Sequence, residues 1–261
     1  MNPDRSSALS FLPLAGLPEV QPGDDLATLL AAAIAGNEGV GALADGDVLV
    51  VAQKIVSKSE NRFVNLTAVE PSGEANALAA RCGKDPRLVE LVLRESTEIV
   101  RVAPGVLIAR HRLGFVVANA AIDQSNVPDG DQRALLLPVD PDRSAQALLE
   151  GVRARFSVEI AVLIADSFGR PWRQGVCGVC IGCAGLESLV DLRGGVDRHG
   201  RVLKVTQLAI ADQLCATASM MLGEAAEGRP MALVRGVPRR FLSTSRGARA
   251  LVRPLAEDLF R

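Results

Sequence analysis

The sequence contains no tyrosine, one tryptophan, two histidines and four lysines among 261 residues, and each shortage excludes something. Seven phenylalanines beside the single tryptophan leave no set of aromatics for a single-stranded nucleic-acid platform. His111 and His199 are too few for a His-rich zinc centre, and neither has neighbours that would complete a catalytic triad, so both read as surface or loop residues. No apolar run reaches the ~18 residues of a membrane span, and no basic segment followed by an apolar one opens the chain. There is no G-x-x-x-x-G-K-[ST] loop, no G-x-G-x-x-G after a strand, no G-x-S-x-G elbow, no H-E-x-x-H and no pair of C-x-x-C motifs. The balance of 29 basic against 30 acidic side chains gives a formal charge of −1, which excludes a general polyanion binder. The expectation is a reduced, cytoplasmic protein without nucleic-acid or membrane partners.

Cysteine is present in an odd number, five, and three of these crowd into Cys177, Cys180 and Cys183. In a reduced compartment that run is a matter of ligands, nucleophiles or packing, not of bridges. C-x-x-C-x-x-C resembles part of a ferredoxin run, so an iron–sulfur or metal-binding protein is one alternative; its fourth ligand would be Cys82, Cys215 or something external. A non-catalytic nucleotide-binding module is another.

A mixture of helices and strands without strict βαβ alternation gives an α+β class, mixed sheets with packed helices, neither P-loop nor Rossmann. Residues 1–10 are polar and read as a frayed start, and Phe11 to Pro18 as an edge strand entering a turn. Asp24 or Asp25 caps a helix closed by Gly36-Asn37, and Val48 to Ala52 is a buried strand ending at the polar group Gln53, Lys54, Ser57 and Lys58. Asp85-Pro86 opens a helix through about Val100; Val106–Ala109 and Phe115–Ala118 form a hairpin across His111 to Gly114. Pro141 to Arg155 is helical, Ile160 to Ala165 is a second buried strand, Thr206 to Leu222 is a helix, and Met231 to Val234 is a last strand. Gly175, Gly178, Gly182 and Gly185 thread the cysteines and read as a Gly-rich loop. The six arginines from Arg235 to Arg253 read as a solvated tail.

The chemistry is expected at strand ends. Asp123 and Asn126 share one polar loop, and Asp166-Ser167 follows a buried strand. Hard divalent cations take one or two carboxylates plus substrate phosphates, and Arg170, Arg173 and the Gly-rich loop are suited to phosphate. The plainer alternative is that Asp123 and Asn126 close Asx-turns and Asp166 caps the next turn.

Five stretches resemble the coenzyme F420-0:L-glutamate ligases, also called gamma-glutamyl ligases. They are Leu14 to Pro18 with Pro22 to Leu26; Asp45 to Val48 with Ile55 to Lys58; Asn119 to Asp123 with Ser125 to Val127; Asp166 to Arg170; and Val205 to Gln207 with Ala211-Asp212. The match runs from about residue 11 to Gly236. It implies the fold of those ligases, with a catalytic domain over 11–236 (one unit or two intertwined subdomains) and 237–261 as its Arg-rich extension.

The resemblance further implies GTP-dependent amide formation on a deazaflavin, through an acyl phosphate at the terminal carboxylate of F420-0, with L-glutamate as the attacking amine and further γ-linked additions. It implies Asp123 and Asp166 as catalytic ligands of one Mg²⁺ or Mn²⁺, and Ser167 and Gln207 as ligands of a second. Leu17, Pro18, Glu19, Val20, Gln53, Lys58, Asn126 and Thr206 would line GTP, K⁺ would be a further cofactor, and the protein would be a homodimer. Ser167 stands where Thr is frequent, and Gln207 where Glu is common, an amide oxygen that brings no charge. In the family the cysteine-bearing segment carries small residues, which implies packing for Cys177, Cys180 and Cys183.

Overall fold

The computed structural model describes residues 8–243 and 246–258. In chain order, β1 (Ser10–Leu14), α1 (Leu26–Gly36), β2 (Val48–Ala52) and α2 (Gln53–Ser59) come first. Then follow β3 (Phe63–Asn65), α3 (Gly73–Cys82), α4 (Pro86–Glu95), β4 (Ser96–Ala103), β5 (Val106–His111), β6 (Val116–Ala118) and β7 (Arg133–Leu135). The remainder is α5 (Pro141–Phe156), β8 (Ala161–Arg170), β9 (Arg173–Ala184), β10 (Val190–Asp191), β11 (Gln207–Leu208), α6 (Ile210–Leu222) and β12 (Met231–Arg235). The expected α+β class with mixed sheets is what the chain adopts.

The central sheet has the order β1-β12-β2-β8-β9, with β2 and β8 parallel and every other pair antiparallel. β2 is a continuous run of Val and Leu because both its faces are covered. On one face Leu49, Val51, Val162 and Ile164 pack with Leu30 of α1 and Leu149 of α5; on the other Val48, Val50 and Leu163 pack with Leu214, Cys215 and Ala218 of α6. Between α2 and α5 the chain makes a second layer, the three-stranded β4-β5-β6 sheet under α3 and α4, with Val89, Val92, Leu78 and Leu107 in its own core. The β3–β7 ribbon stands at the two ends of this excursion, Phe63 opposite Leu135.

Local signals hold where they are capping signals. The side chain of Asp25 accepts from the Ala27 amide and that of Asp85 from the Arg87 amide, with Pro86 in the first helical turn. Several expectations need correction where distant pairing decides. The helix from Pro86 stops at Glu95, not Val100, because Ser96 to Ala103 pairs along β5. The polar group after β2 is the helix α2, and α6 starts at Ile210, not Thr206. The second buried strand continues through Asp166 and Ser167 to Arg170, so those residues sit within β8 and not after it.

The Gly-rich loop is β9, paired with β8 along its length, so its backbone amides are not gathered around an anion. Its glycines make room for helices. A Cβ on Gly178 would lie 1.9 Å from Ser219 Oγ of α6, and one on Gly182 would lie 2.4 Å from the Pro141 carbonyl oxygen of α5. The register shifts at Ile164/Ala165, which lets Cys180 and Cys183 both enter the α6-side core. There the Cys180 thiol donates to the Gly182 carbonyl and the Cys183 thiol to that of Leu186, and burial pushes the Cys180 thiol far above its usual range. Both thiols fill the α6-side core, and among the described residues no three His, Cys, Asp or Glu side chains are grouped to hold a metal ion.

His111 is not a surface residue either. It is 1% exposed; its Nδ1 accepts from the Leu113 amide, so its Nε2–H faces Glu95, which also pairs with Arg62 and Arg112. Burial alone would raise the Glu95 carboxyl, but His111, Arg112 and Arg62 together hold it at about 2. Of the arginine tail, Arg239, Arg240, Arg246, Arg249 and Arg253 are exposed as expected, but Arg235 binds Asp47 and the carbonyls of Val40 and Ala42, and Val237 and Ala248 are buried. Of the expected frayed start, residues 1–7 lie outside the described residues, and Ser10 already pairs with Arg235.

Gly182→Ala is expected to cost about 1–3 kcal/mol by forcing α5 away from β9, lowering the melting temperature by several degrees. Gly169→Ala meets no atom within 4 Å and should leave the melting temperature nearly unchanged. Thermal unfolding by circular dichroism distinguishes the two.

Candidate active site

The position of the site follows from strand register. In the parallel pair β2–β8, Ala52 lies opposite Ala165, so both strands leave the core at one level and present Gln53, Lys54, Asp166 and Ser167 together. Met231 pairs with both Val51 and Leu14, which brings the loop before β12 and the segment after β1 to the same edge. Crevices at the carboxyl ends of parallel strands are where ligands bind in such sheets. A cavity of about 550 Å³ opens there, walled by Leu17 to Val20, Gln53, Lys54 and Lys58, Asp123, Ser125 and Asn126, Ala165 to Ser167, and Leu222 to Pro230.

Asp123 arrives from the second layer. Just before it, Asn119, Ala120 and Ala121 have φ of +52°, +52° and +57°, a left-handed turn that costs roughly 1–2 kcal/mol per non-glycine residue. Small side chains limit that cost, and the turn delivers Asp123 to the pocket by way of its bridge to Leu135. Ser125 donates to Asp123 through its amide (2.8 Å) and its hydroxyl (2.9 Å), so the Asx-turn is present. The Lys54 ammonium reaches Asp123 Oδ2 at 2.7 Å and Ser125 Oγ at 2.6 Å. Asn126, with φ +54°, donates to the Ala225 carbonyl at 3.0 Å and fastens this loop to the one before β12.

Three carboxylates meet around β8. The Ser167 hydroxyl donates to Glu224 Oε1 at 2.6 Å, and the Ser167 amide donates to Asp166 Oδ1 at 2.8 Å. Loss of hydration pushes Asp166 up to about 7; the Ser167 amide and Lys54 pull it down, but Asp123 and Glu224 repel its ionised form. For Asp123 burial also acts upward, yet the hydrogen bond from Lys54 and those from Ser125 keep it below its usual value. On the opposite wall Lys58 is 5% exposed and pairs with Glu19, and Gln53 donates to Ser57.

Ten of the twelve site residues read from the sequence line this cavity or belong to its carboxylate group: Leu17, Pro18, Glu19, Val20, Gln53, Lys58, Asn126, Asp123, Asp166 and Ser167. Thr206 and Gln207 do not. Gln207 is exposed on β11, opposite Asp191, and not at a helix start; Asp212, further along, accepts from the Cys180 amide inside the α6–β9 packing. The carboxylate beside Ser167 is that of Glu224, which sequence reasoning missed, as it missed Lys54. The run Gly223-Glu224-Ala225-Ala226-Glu227-Gly228, between a helix end and a buried strand, was the available signal for the first. Lys54 was visible only as one member of the polar group after β2.

The donor set suits a hard divalent cation. Asp123, Asp166, Ser167 and Glu224 offer only oxygens, and all four line the cavity. Among the described residues no three His, Cys, Asp or Glu side chains enclose an ion by themselves.

The family model described as F420-0:Gamma-glutamyl ligase matches residues 16–236. The chain is 45% identical to the Coenzyme F420:L-glutamate ligase of Methanothermobacter thermautotrophicus over 97% of its own length and 99% of that protein's. It is 45% identical to the protein of the same name from Methanopyrus kandleri, covering 93% and 94% of the two chains. Against the Haloarcula marismortui protein of that name the identity is 42% over 84% of each.

Without divalent cation, the folded protein keeps on Asp166 a proton that the unfolded chain releases near pH 4, so stability falls as pH rises from about 4 to about 7. Asp166→Asn removes this slope. In the presence of a chelator the variant should melt above the parent at pH 8, with the gap closing toward pH 4; a pH-independent gap would contradict the assignment.

Proposed function

The chain belongs to the F420-0:gamma-glutamyl ligase family and is a ligase, and we propose that it joins L-glutamate to the terminal carboxylate of coenzyme F420-0 at the expense of GTP. The observation that supports this best is the meeting of Asp123, Asp166 and Glu224 with Lys54 and Lys58 on one cavity at the ends of β2 and β8. Acyl activation by a nucleotide needs both: cationic groups for the phosphates and carboxylates for the ions that accompany them.

In the reaction a carboxylate oxygen of F420-0 attacks the γ-phosphorus of GTP, the bond to the β-phosphate oxygen breaks, and GDP leaves. The amine of L-glutamate, having released a proton, attacks the acyl carbon; the acyl C–O bond breaks and phosphate departs. Repetition with the γ-carboxylate of the new glutamate gives γ-linked extension. Asp123, Asp166, Ser167 and Glu224 would hold the divalent ions, which supply charge neutralisation to the phosphates. Lys58, buried in the wall, offers a point charge, and Lys54 holds Asp123 ionised. Asn126, bound to the Ala225 carbonyl, keeps the two loops over the nucleotide in register. Catalysis of this kind rests on positioning and electrostatics, with no covalent enzyme intermediate. K⁺ as a further cofactor, a homodimer and a cytoplasmic location belong to the same reading and rest on the family resemblance.

Incubation with GTP, Mg²⁺ or Mn²⁺, L-glutamate and F420-0 should give GDP, phosphate and F420 heavier by glutamyl units in the mass spectrum. Nucleotide binding without product would reduce the protein to a binding module. Glu224→Gln should lower turnover by about 100-fold or more at an unchanged circular-dichroism spectrum, because it removes a charged ligand worth several kcal/mol. Gln207→Ala should change turnover far less; the reverse ranking would return the second-ion role to Gln207.

A further inference from the structure

Beyond Phe168, β8 and β9 run out of the core as a hairpin with the tip Arg170-Pro171-Trp172-Arg173. Trp172 is the sole tryptophan of the chain and is 81% exposed. It also holds φ +58°, a conformation that glycine fills at less cost and that is rare for a bulky residue. Arg170 and Arg173 are direct register partners, so their side chains leave the same face side by side, an arrangement that is destabilising for like charges. Among the described residues neither has a carboxylate partner; Arg170 donates to the Gln174 carbonyl at 3.4 Å, whereas Arg87, Arg155, Arg193 and Arg235 all pair with acids. An exposed aromatic beside two arginines that pair with no acid among the described residues is suited to a planar ring carrying a phosphate.

The tip is continuous with the active site. Asp166 and Ser167 lie on the same β8 strand, and Val176 of β9 lines the cavity. At about 3.3 Å per residue, Arg170 stands about 13 Å along the strand from Asp166. The cavity has to hold the nucleotide and the reacting carboxylate, which leaves the ring of the acceptor outside. We infer that the β8–β9 tip is the docking arm for the acyl acceptor, with Trp172 stacking on the deazaflavin ring and Arg170 and Arg173 binding the phosphodiester of its tail. The inference rests on the ligase reading above, since that reading supplies an acceptor with a ring, a phosphodiester and a carboxylate in one extended molecule. The two-residue turn fixes the ring platform, and the strand sets its distance from the site.

Because Trp172 is the only tryptophan, its emission reports this tip alone. Titration of the full chain with F420-0 in the absence of GTP should quench that emission saturably, and Arg170→Ser/Arg173→Ser should weaken the binding about tenfold or more. In steady state that double variant and Trp172→Ala should raise KM for F420-0 by about tenfold, with KM for GTP within about twofold of the parent; Trp172→Phe should retain most of the affinity. An unchanged KM for F420-0 in both variants, or a rise in KM for GTP instead, overturns the docking arm and leaves the ligase reading standing. If the parent makes no glutamylated product, the ligase reading fails and the quenching titration still decides the arm: saturable quenching lost in the double variant supports it, and unquenched emission ends it.

Discussion

The parallel pairing of β2 with β8, in the register that sets Ala52 opposite Ala165, is the constraint from which the site follows. A shift of one residue would turn Asp166 and Ser167 to the opposite faces of the sheet and part them from Gln53 and Lys54. What enforces the register is burial on both faces: Val48 and Val50 must face α6 while Leu49 and Val51 face α1 and α5. Two separate hydrophobic cores thus fix where a handful of polar atoms meet. The small residues of β9 serve the same end, since α5 and α6 approach the sheet as closely as they do only because Gly182 and Gly178 lack a Cβ.

Within the site, charge is left deliberately unbalanced. Lys54 pairs with Asp123 and Lys58 with Glu19, whereas among the described residues Asp166 and Glu224 form no ion pair and accept instead from the amide and hydroxyl of Ser167. A buried carboxylate without a partner either takes up a proton or takes up a cation. Burial raises Asp166 in the bare protein, and repulsion from Asp123 and Glu224 adds to it. The left-handed turn at Asn119 to Ala121 is the conformational counterpart of this, since it holds Asp123 close to like charge.

How much was legible can be traced residue by residue. The apolar runs of β2, β8 and β12, the caps at Asp25 and Asp85 and the helix from Pro141 are local signals, and they appear in the sequence as they stand in the fold. Ser96 to Ala103 was misread because a helix end has no local mark when the following strand forms only by pairing with β5. The glycines and cysteines of β9 resembled a loop because their purpose, contact with α5 and α6, lies far away in sequence. His111 appeared to be a turn residue, since nothing near it announces Glu95, Arg62 and a buried Nδ1 cap.

The sequence by itself determined the class of fold and the family, because unusual short motifs survive as local patterns, and it pointed to Asp123 and Asp166, which the fold brings to one cavity. Only the tertiary structure decided which residue stands beside Ser167. Glu224 lies 57 positions away and reaches it because β12 runs antiparallel to β2 and returns its preceding loop to the same edge. Gln207, nearer to Ser167 in sequence, is carried off on the β10–β11 pair. Chain proximity is a poor guide to a site assembled from strand ends, because the distance that matters there is measured across the sheet.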